Sequence, residues 1–110
     1  MAGQARAAEG QGFEFIARSA EGAQVRGPLV FATARRAREA GLAALRAAGG
    51  ALVIDCGALG QTDSAGLAVL LDWLAEARRA QRPLRFEHLP EELLRLARIS
   101  SVDGMLQQGV

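Results

Sequence analysis

Apolar and polar positions alternate and regroup along the chain in a way that sets out its elements one after another. "FEFIAR" (Phe13 to Arg18) alternates with a period of two, which predicts a strand. "SAEGA" supplies a turn, and "QVRGPLVF" a second strand, so the pair should form a hairpin. Gly27-Pro28 interrupts the second strand. Proline has no N–H to give to a ladder, which places a bulge or a sheet edge there. Thr33 then suits an N-cap for "ARRAREAGLAALRAA", closed by Gly49-Gly50. Ala37, Gly41, Ala44, Leu45 and Ala48 share one side of that helix, a surface of small residues suited to close packing on a sheet.

"ALVIDC" is a short continuous apolar run rich in β-branched residues, the pattern of a strand covered on both faces. A glycine-bearing loop leads to a helix from Ser64 to about Gln81. "PLRFEHL" gives the next strand, with Leu84, Phe86 and His88 on one face. Pro90 falls in the first turn of "PEELLRLARI", where Glu91 and Glu92 suit the positive end of the helix dipole. "SSVDGMLQQGV" adds at most a short helical turn. The expected order is β-β-α-β-α-β-α, an α/β fold in which right-handed crossovers build a small mixed sheet with helices packed on it.

Length and composition narrow this further. The chain has 110 residues, half of them apolar, which suits one domain over residues 13–110. Residues 1–12 are small and polar and read as a disordered tail without a secretory h-region. With 13 basic residues against 12 acidic, the net charge of +1 argues against nucleic-acid binding. All the basic residues are arginine, which with the abundance of alanine reads as genome composition bias. The run around Leu67 to Leu71 falls far short of the roughly 20 residues a membrane span needs, so direct membrane insertion is not expected. Cys56 is the sole cysteine and reads as a small buried hydrophobe in a reduced, cytoplasmic setting.

The residues that bear chemistry are few. No P-loop, GxSxG, HExxH or CxxC pattern occurs, and one histidine with one cysteine supplies neither a metal site nor a nucleophile–base pair. Catalysis, a cofactor and a bound metal are therefore not expected. His88 reads as a structural residue with its bonds satisfied. Arg78, Arg79, Arg82 and Arg85 read as a solvated helix end. Asp63 and Ser64 stand at a helix start, where unpaired N–H groups and the dipole favour negative charge. Either residue serves as a cap there, and Ser64 also presents a hydroxyl on which a phosphate would be tolerated. Leu67, Leu70, Leu71 and Leu74 form the core stripe of this helix. Val69, Trp73 and Ala80 lie off that stripe near Glu76. Such an edge is either a partner surface with a tryptophan anchor or the rim of the domain's own core.

"ALVIDCGALGQTDSAGLAVLLDWLAEARRAQRPLRF" resembles the STAS domain of sulphate transporters and anti-sigma factor antagonists. The resemblance rests on Asp63, Ser64, Ala65, Gly66 and Leu67 at the helix start and on "VRGPL" in the second strand, and it covers roughly Phe13 to Leu106. It implies the STAS fold and a contact role for Asp63, Ser64 and Gly66. The extension of that role to Trp73 rests on the helix geometry alone. Within the superfamily the chain is similar to the MlaB type, through "LPEELLRLA" and the "VDGML" ending. That branch implies a cytoplasmic accessory subunit bound to the ATPase (MlaF-like) of a phospholipid-transporting ABC complex, and through it to the membrane permease. The alternative branch implies an anti-sigma factor antagonist switched by a partner kinase at Ser64. There a second serine usually stands where this chain has Ala65. A STAS domain serving some other complex is a third reading.

Overall fold

The computed structural model describes residues 12–47 and 49–110. The expected tail over 1–12 therefore lies outside the described residues except for Gly12, and so does Ala48, which the sequence pattern places on the first helix. The elements run β1 (Glu14–Ala17), β2 (Gly22–Leu29), α1 (Phe31–Arg46), β3 (Leu52–Thr62), α2 (Ser64–Arg79), β4 (Leu84–Glu87), α3 (Glu91–Ile99) and α4 (Asp103–Gln108). The predicted order holds, and the C-terminal segment adds α4, whose Leu106 is fully buried.

The four strands lie in the order β1-β2-β3-β4. The β1–β2 hairpin is antiparallel, with Phe15 opposite Val25, and β2–β3 and β3–β4 are parallel across their helical connections. β3 is longer than its sequence suggested because the glycine-bearing segment after Cys56 goes on pairing with β2 instead of looping away. Two register shifts absorb the extra residues, between Gln24 and Arg26 and between Gly27 and Leu29. The second coincides with Pro28, so the missing N–H falls at the bulge. Gly27 has φ of +87°, and a Cβ there would lie 2.2 Å from the Gly12 carbonyl oxygen, so the "VRGPL" glycine is required twice over.

One face of the sheet is core. Ala23, Val25, Leu52, Ile54, Cys56, Leu84 and Phe86 are all buried. On the other face Gln24, Val53 and Asp55 are half-buried, while Arg26, Arg85 and Glu87 are exposed. β3 is thus apolar on one side and polar on the other, which corrects the expectation of a strand covered on both faces. Cross-strand pairs occupy that polar side: Arg26 with Glu14 at 3.5 Å, and His88 Nδ1 with Asp55 Oδ1 at 3.0 Å. His88 does not share the core face of Leu84 and Phe86. β4 ends at Glu87, and the chain turns through a left-handed His88 (φ +59°), which carries the imidazole out to Asp55. The Gly57 N–H and then the imidazole hold the Asp55 carboxyl below the usual carboxylate range.

α1 begins two residues before the expected Thr33 cap. The Thr33 hydroxyl instead sits in the first turn, accepting from the Val30 N–H at 3.0 Å and donating to the Pro28 carbonyl at 2.9 Å. This is the return half of a capping box. At the other end of α1 the arginine expectation needs correcting. Arg82 is buried rather than solvated, and its guanidinium donates to the carbonyls of Ala44 (2.7 Å), Ala47 (3.1 Å) and Gly50 (2.6 Å). The carbonyls left over at a helix C-terminus need donors, and Arg82 supplies them from a distant segment.

Candidate functional site

The strand-to-helix corner at Thr62–Gly66 is where sequence and geometry converge. Asp63 adopts extended backbone and caps α2, its Oδ1 accepting from the Gly66 N–H at 3.0 Å. Its second oxygen reaches a different helix: Oδ2 accepts from the N–H of Phe31, the first residue of α1, at 3.1 Å. One carboxylate thus closes two helix N-termini that lie 32 residues apart in the chain, and both dipoles favour its charge. Nothing in the local pattern around Phe31 announces that second contact.

Ser64 is exposed at the start of α2. The cap is therefore Asp63, and the Ser64 hydroxyl is left facing solvent. Gly66 is buried against the end of β2. A Cβ at position 66 would lie 2.1 Å from the Leu29 carbonyl oxygen, so only glycine lets α2 approach this closely. The motif residues hence divide their duties: Asp63 ties the corner together, Gly66 sets its depth and Ser64 is presented.

Trp73 does not join them. Its side chain is completely buried, ringed by Phe13, Phe15 and Phe86 at centroid distances of 6.3, 5.8 and 6.4 Å. The indole N–H donates to the Arg38 carbonyl of α1 at 3.2 Å. The expected partner role for Trp73 is corrected on this ground, since α1 lies along the second apolar edge of α2. Val69 is buried there as well, whereas Ala80 is exposed. Gly41 makes room for the ring, because a Cβ on it would fall 2.0 Å from the indole. Glu76, on the same edge, is buried between Arg79 and Arg46, and these guanidiniums, Arg79 first, hold its carboxyl below the usual range.

The surface anchor that the sequence did not single out is Phe31. It is 83% exposed, the largest such value among the exposed large hydrophobics of the described residues. It stands at one end of a groove between α1 and α2 whose lining includes Ala34, Ala65, Ala68 and Val69. Because its N–H is held by Asp63, the aromatic ring and the Ser64 hydroxyl belong to a single corner. Phe31 reads as the last residue of a strand in the sequence, and its exposure follows from the earlier start of α1.

Elsewhere the titratable groups offer little chemistry. Burial pushes the Cys56 thiol up to about 12, so it is not a nucleophile at neutral pH. Among the described residues no group of three or more His, Cys, Asp or Glu side chains is placed to hold a metal ion, and no helix is long and apolar enough to cross a membrane.

A family model described as "Mlab, STAS domain" matches residues 16–107. The chain belongs to the STAS-domain family. This STAS domain is similar in fold to the anti-sigma factor antagonist SpoIIAA in its unphosphorylated form, with a TM-score of 0.66 at 16% identity, covering 84% of this chain and 83% of that one. A search of curated proteins finds no match. The mixed sheet and the order of elements are those of the STAS fold.

Proposed function

We propose that this STAS domain is a non-catalytic, cytoplasmic accessory subunit that binds and supports the ATPase of a phospholipid-transporting ABC complex. The observation that carries the reading is the corner formed by Phe31, Asp63 and Ser64, where an exposed aromatic ring and an exposed hydroxyl are held together by one carboxylate. Aromatic residues, phenylalanine among them, are enriched at protein interfaces relative to the rest of the surface. The MlaB description of the matching family supports the choice of partner. Asp63 and Ser64 keep their proposed roles at the partner-binding corner, the buried Gly66 supports it from beneath, and Phe31 takes the place of Trp73 as the exposed aromatic. The ATPase in turn holds the subunit near the permease.

The test is affinity purification of the tagged chain from its own host, with co-purifying proteins identified by mass spectrometry. Recovery of an ABC ATPase with its permease is the expected outcome. Recovery of an anti-sigma factor kinase without them refutes the reading. That second outcome would support an anti-sigma factor antagonist, which the exposure of Ser64 at a helix N-terminus favours. The two also separate by substitution. In a switch, Ser64→Asp abolishes binding while Ser64→Ala leaves the partner permanently bound. In the transport subunit both weaken the ATPase contact.

A further inference from the structure

We propose that the hollow between α2 and α4 binds a single acyl chain that carries an anionic head. Leu71, Leu74, Ala75 and Arg78 follow one another at i, i+3, i+4 and i+7, so they share one face of α2. Met105 of α4, 46% exposed, and Val110 complete the apolar lining of a hollow of about 280 Å³. That lies just under the roughly 300–1,000 Å³ of small-molecule sites, room for one short chain and not for the two of a phospholipid. The hollow shares no lining residue with the groove beside Phe31, and the inference does not rest on the proposed function.

The polar groups on offer select the head. The charged side chains of the lining are Arg78 and Arg79, and the N–H and carbonyl of Val110 are already bonded to Leu84. Guanidiniums donate and never accept, so the occupant has to bring acceptors at one end and apolar surface elsewhere. A peptide would bring a backbone N–H at every residue and find no acceptor for it in the lining; an acyl chain brings none. The charge balance points the same way. Arg46 and Arg79 share the one carboxylate of Glu76, Arg82 is bonded to backbone carbonyls, and Arg78 makes no ion pair with another described residue. Two hollows that adjoin at Val110 are lined by Arg78, Arg82 and Arg85, again with no acidic side chain. The α2 C-terminus carries roughly half a negative charge, which offsets only part of this excess. A carboxylate or phosphate head at Arg78 therefore meets a charge-assisted donor that nothing else in the fold occupies.

Titration of the full chain with sodium decanoate tests it, followed by NMR of labelled methionine methyl groups. The chain has two methionines, and Met105→Leu assigns the signal. The expected result is a saturable shift of the Met105 methyl with a Kd on the order of 1 mM, the range for a ligand of about a dozen heavy atoms in an open site. Arg78→Glu should weaken binding at least about tenfold. Ala75→Phe, which fills the hollow without changing its charge, should weaken it in the same way. Arg36→Glu, the same charge change at an exposed position of α1, should alter the Kd less than about twofold. Sodium acetate, the head without the chain, and decyltrimethylammonium, the chain with the opposite charge, should leave the methyl unmoved at equal concentration. Circular dichroism of each variant establishes that it is folded. The proposal is overturned by the absence of a saturable shift up to about 10 mM decanoate, by an equal response to acetate or decyltrimethylammonium, or by binding that survives Arg78→Glu. Retention on phosphatidylglycerol–phosphatidylcholine vesicles without a response to monomeric decanoate also overturns it, since the occupant is then a bilayer surface.

Discussion

Asp63 offers a graded test of whether one carboxylate holds two helices. Its Oδ1 bond to Gly66 is an ordinary N-cap, whose loss costs about 1 kcal/mol. The Oδ2 bond to Phe31 is solvent-exposed and adds roughly 0.5–1 kcal/mol. The interaction of the charge with two helix N-termini contributes about 0.3–1 kcal/mol at each. Asp63→Ala should therefore destabilise the fold by about 2–4 kcal/mol. The informative variant is Asp63→Asn. At a simple N-cap, asparagine and aspartate are near equals. At this corner the amide can accept with its oxygen from only one of the two N–H groups, and its nitrogen then faces the other, donor against donor. A loss of about 1 kcal/mol is expected, which corresponds to a fall in Tm of roughly 4–8 °C for a chain of this size. Urea unfolding at neutral pH, followed by circular dichroism, measures both variants. If Asp63→Asn stays within about 0.3 kcal/mol of the parent, the bond to Phe31 contributes nothing and the two-helix clamp is refuted.

Three further outcomes can be checked with the same assay. Gly66→Ala should destabilise by about 3 kcal/mol or more, or prevent folding, because its Cβ has nowhere to go but into the Leu29 carbonyl 2.1 Å away; a near-neutral effect would mean that α2 can slide outward freely. Arg82→Met should cost about 2–3 kcal/mol by stranding the carbonyls of Ala44, Ala47 and Gly50, whereas Arg85→Met, at an exposed position, should change stability little. The carboxyl of Glu76 is held below its ordinary value of 4.5, chiefly by the Arg79 hydrogen bond, so its contribution is present above pH 4.5 and is lost as the pH falls through the lowered folded value; Glu76→Gln should flatten the decline in stability between pH 6 and about pH 3, and an unchanged slope would count against the pairing.

Where the sequence was readable, the reason is periodicity. The approximate alternation over "FEFIAR" and the i, i+3, i+4, i+7 stripe of Leu67, Leu70, Leu71 and Leu74 were enough to place both elements, and both are where the pattern put them. Trp73 was ambiguous because an apolar residue off the main stripe has the same signature whether a second helix or a second protein covers it. Only the position of α1 decides. Arg82 was misread for a related reason: its carbonyl partners, 32 to 38 residues away, leave no trace in the local sequence. At the candidate site, the Asp-Ser-Ala-Gly-Leu pattern located the corner, but its other half did not show. The bond from Phe31 to Asp63 spans 32 residues, and an apolar residue after a strand looks like more strand.

The contact between Gly41 and Trp73 constrains how this sequence can drift. With the indole edge occupying the space a Cβ at position 41 would need, neither residue can change freely while the other stays. An alanine or larger at position 41 demands a smaller ring or an aliphatic side chain at 73, and a glycine kept at 41 beside a small residue at 73 would leave a cavity at the centre of the aromatic cluster. The two positions should therefore covary among relatives, and an exchange at both can preserve the α1–α2 packing where either change alone would not.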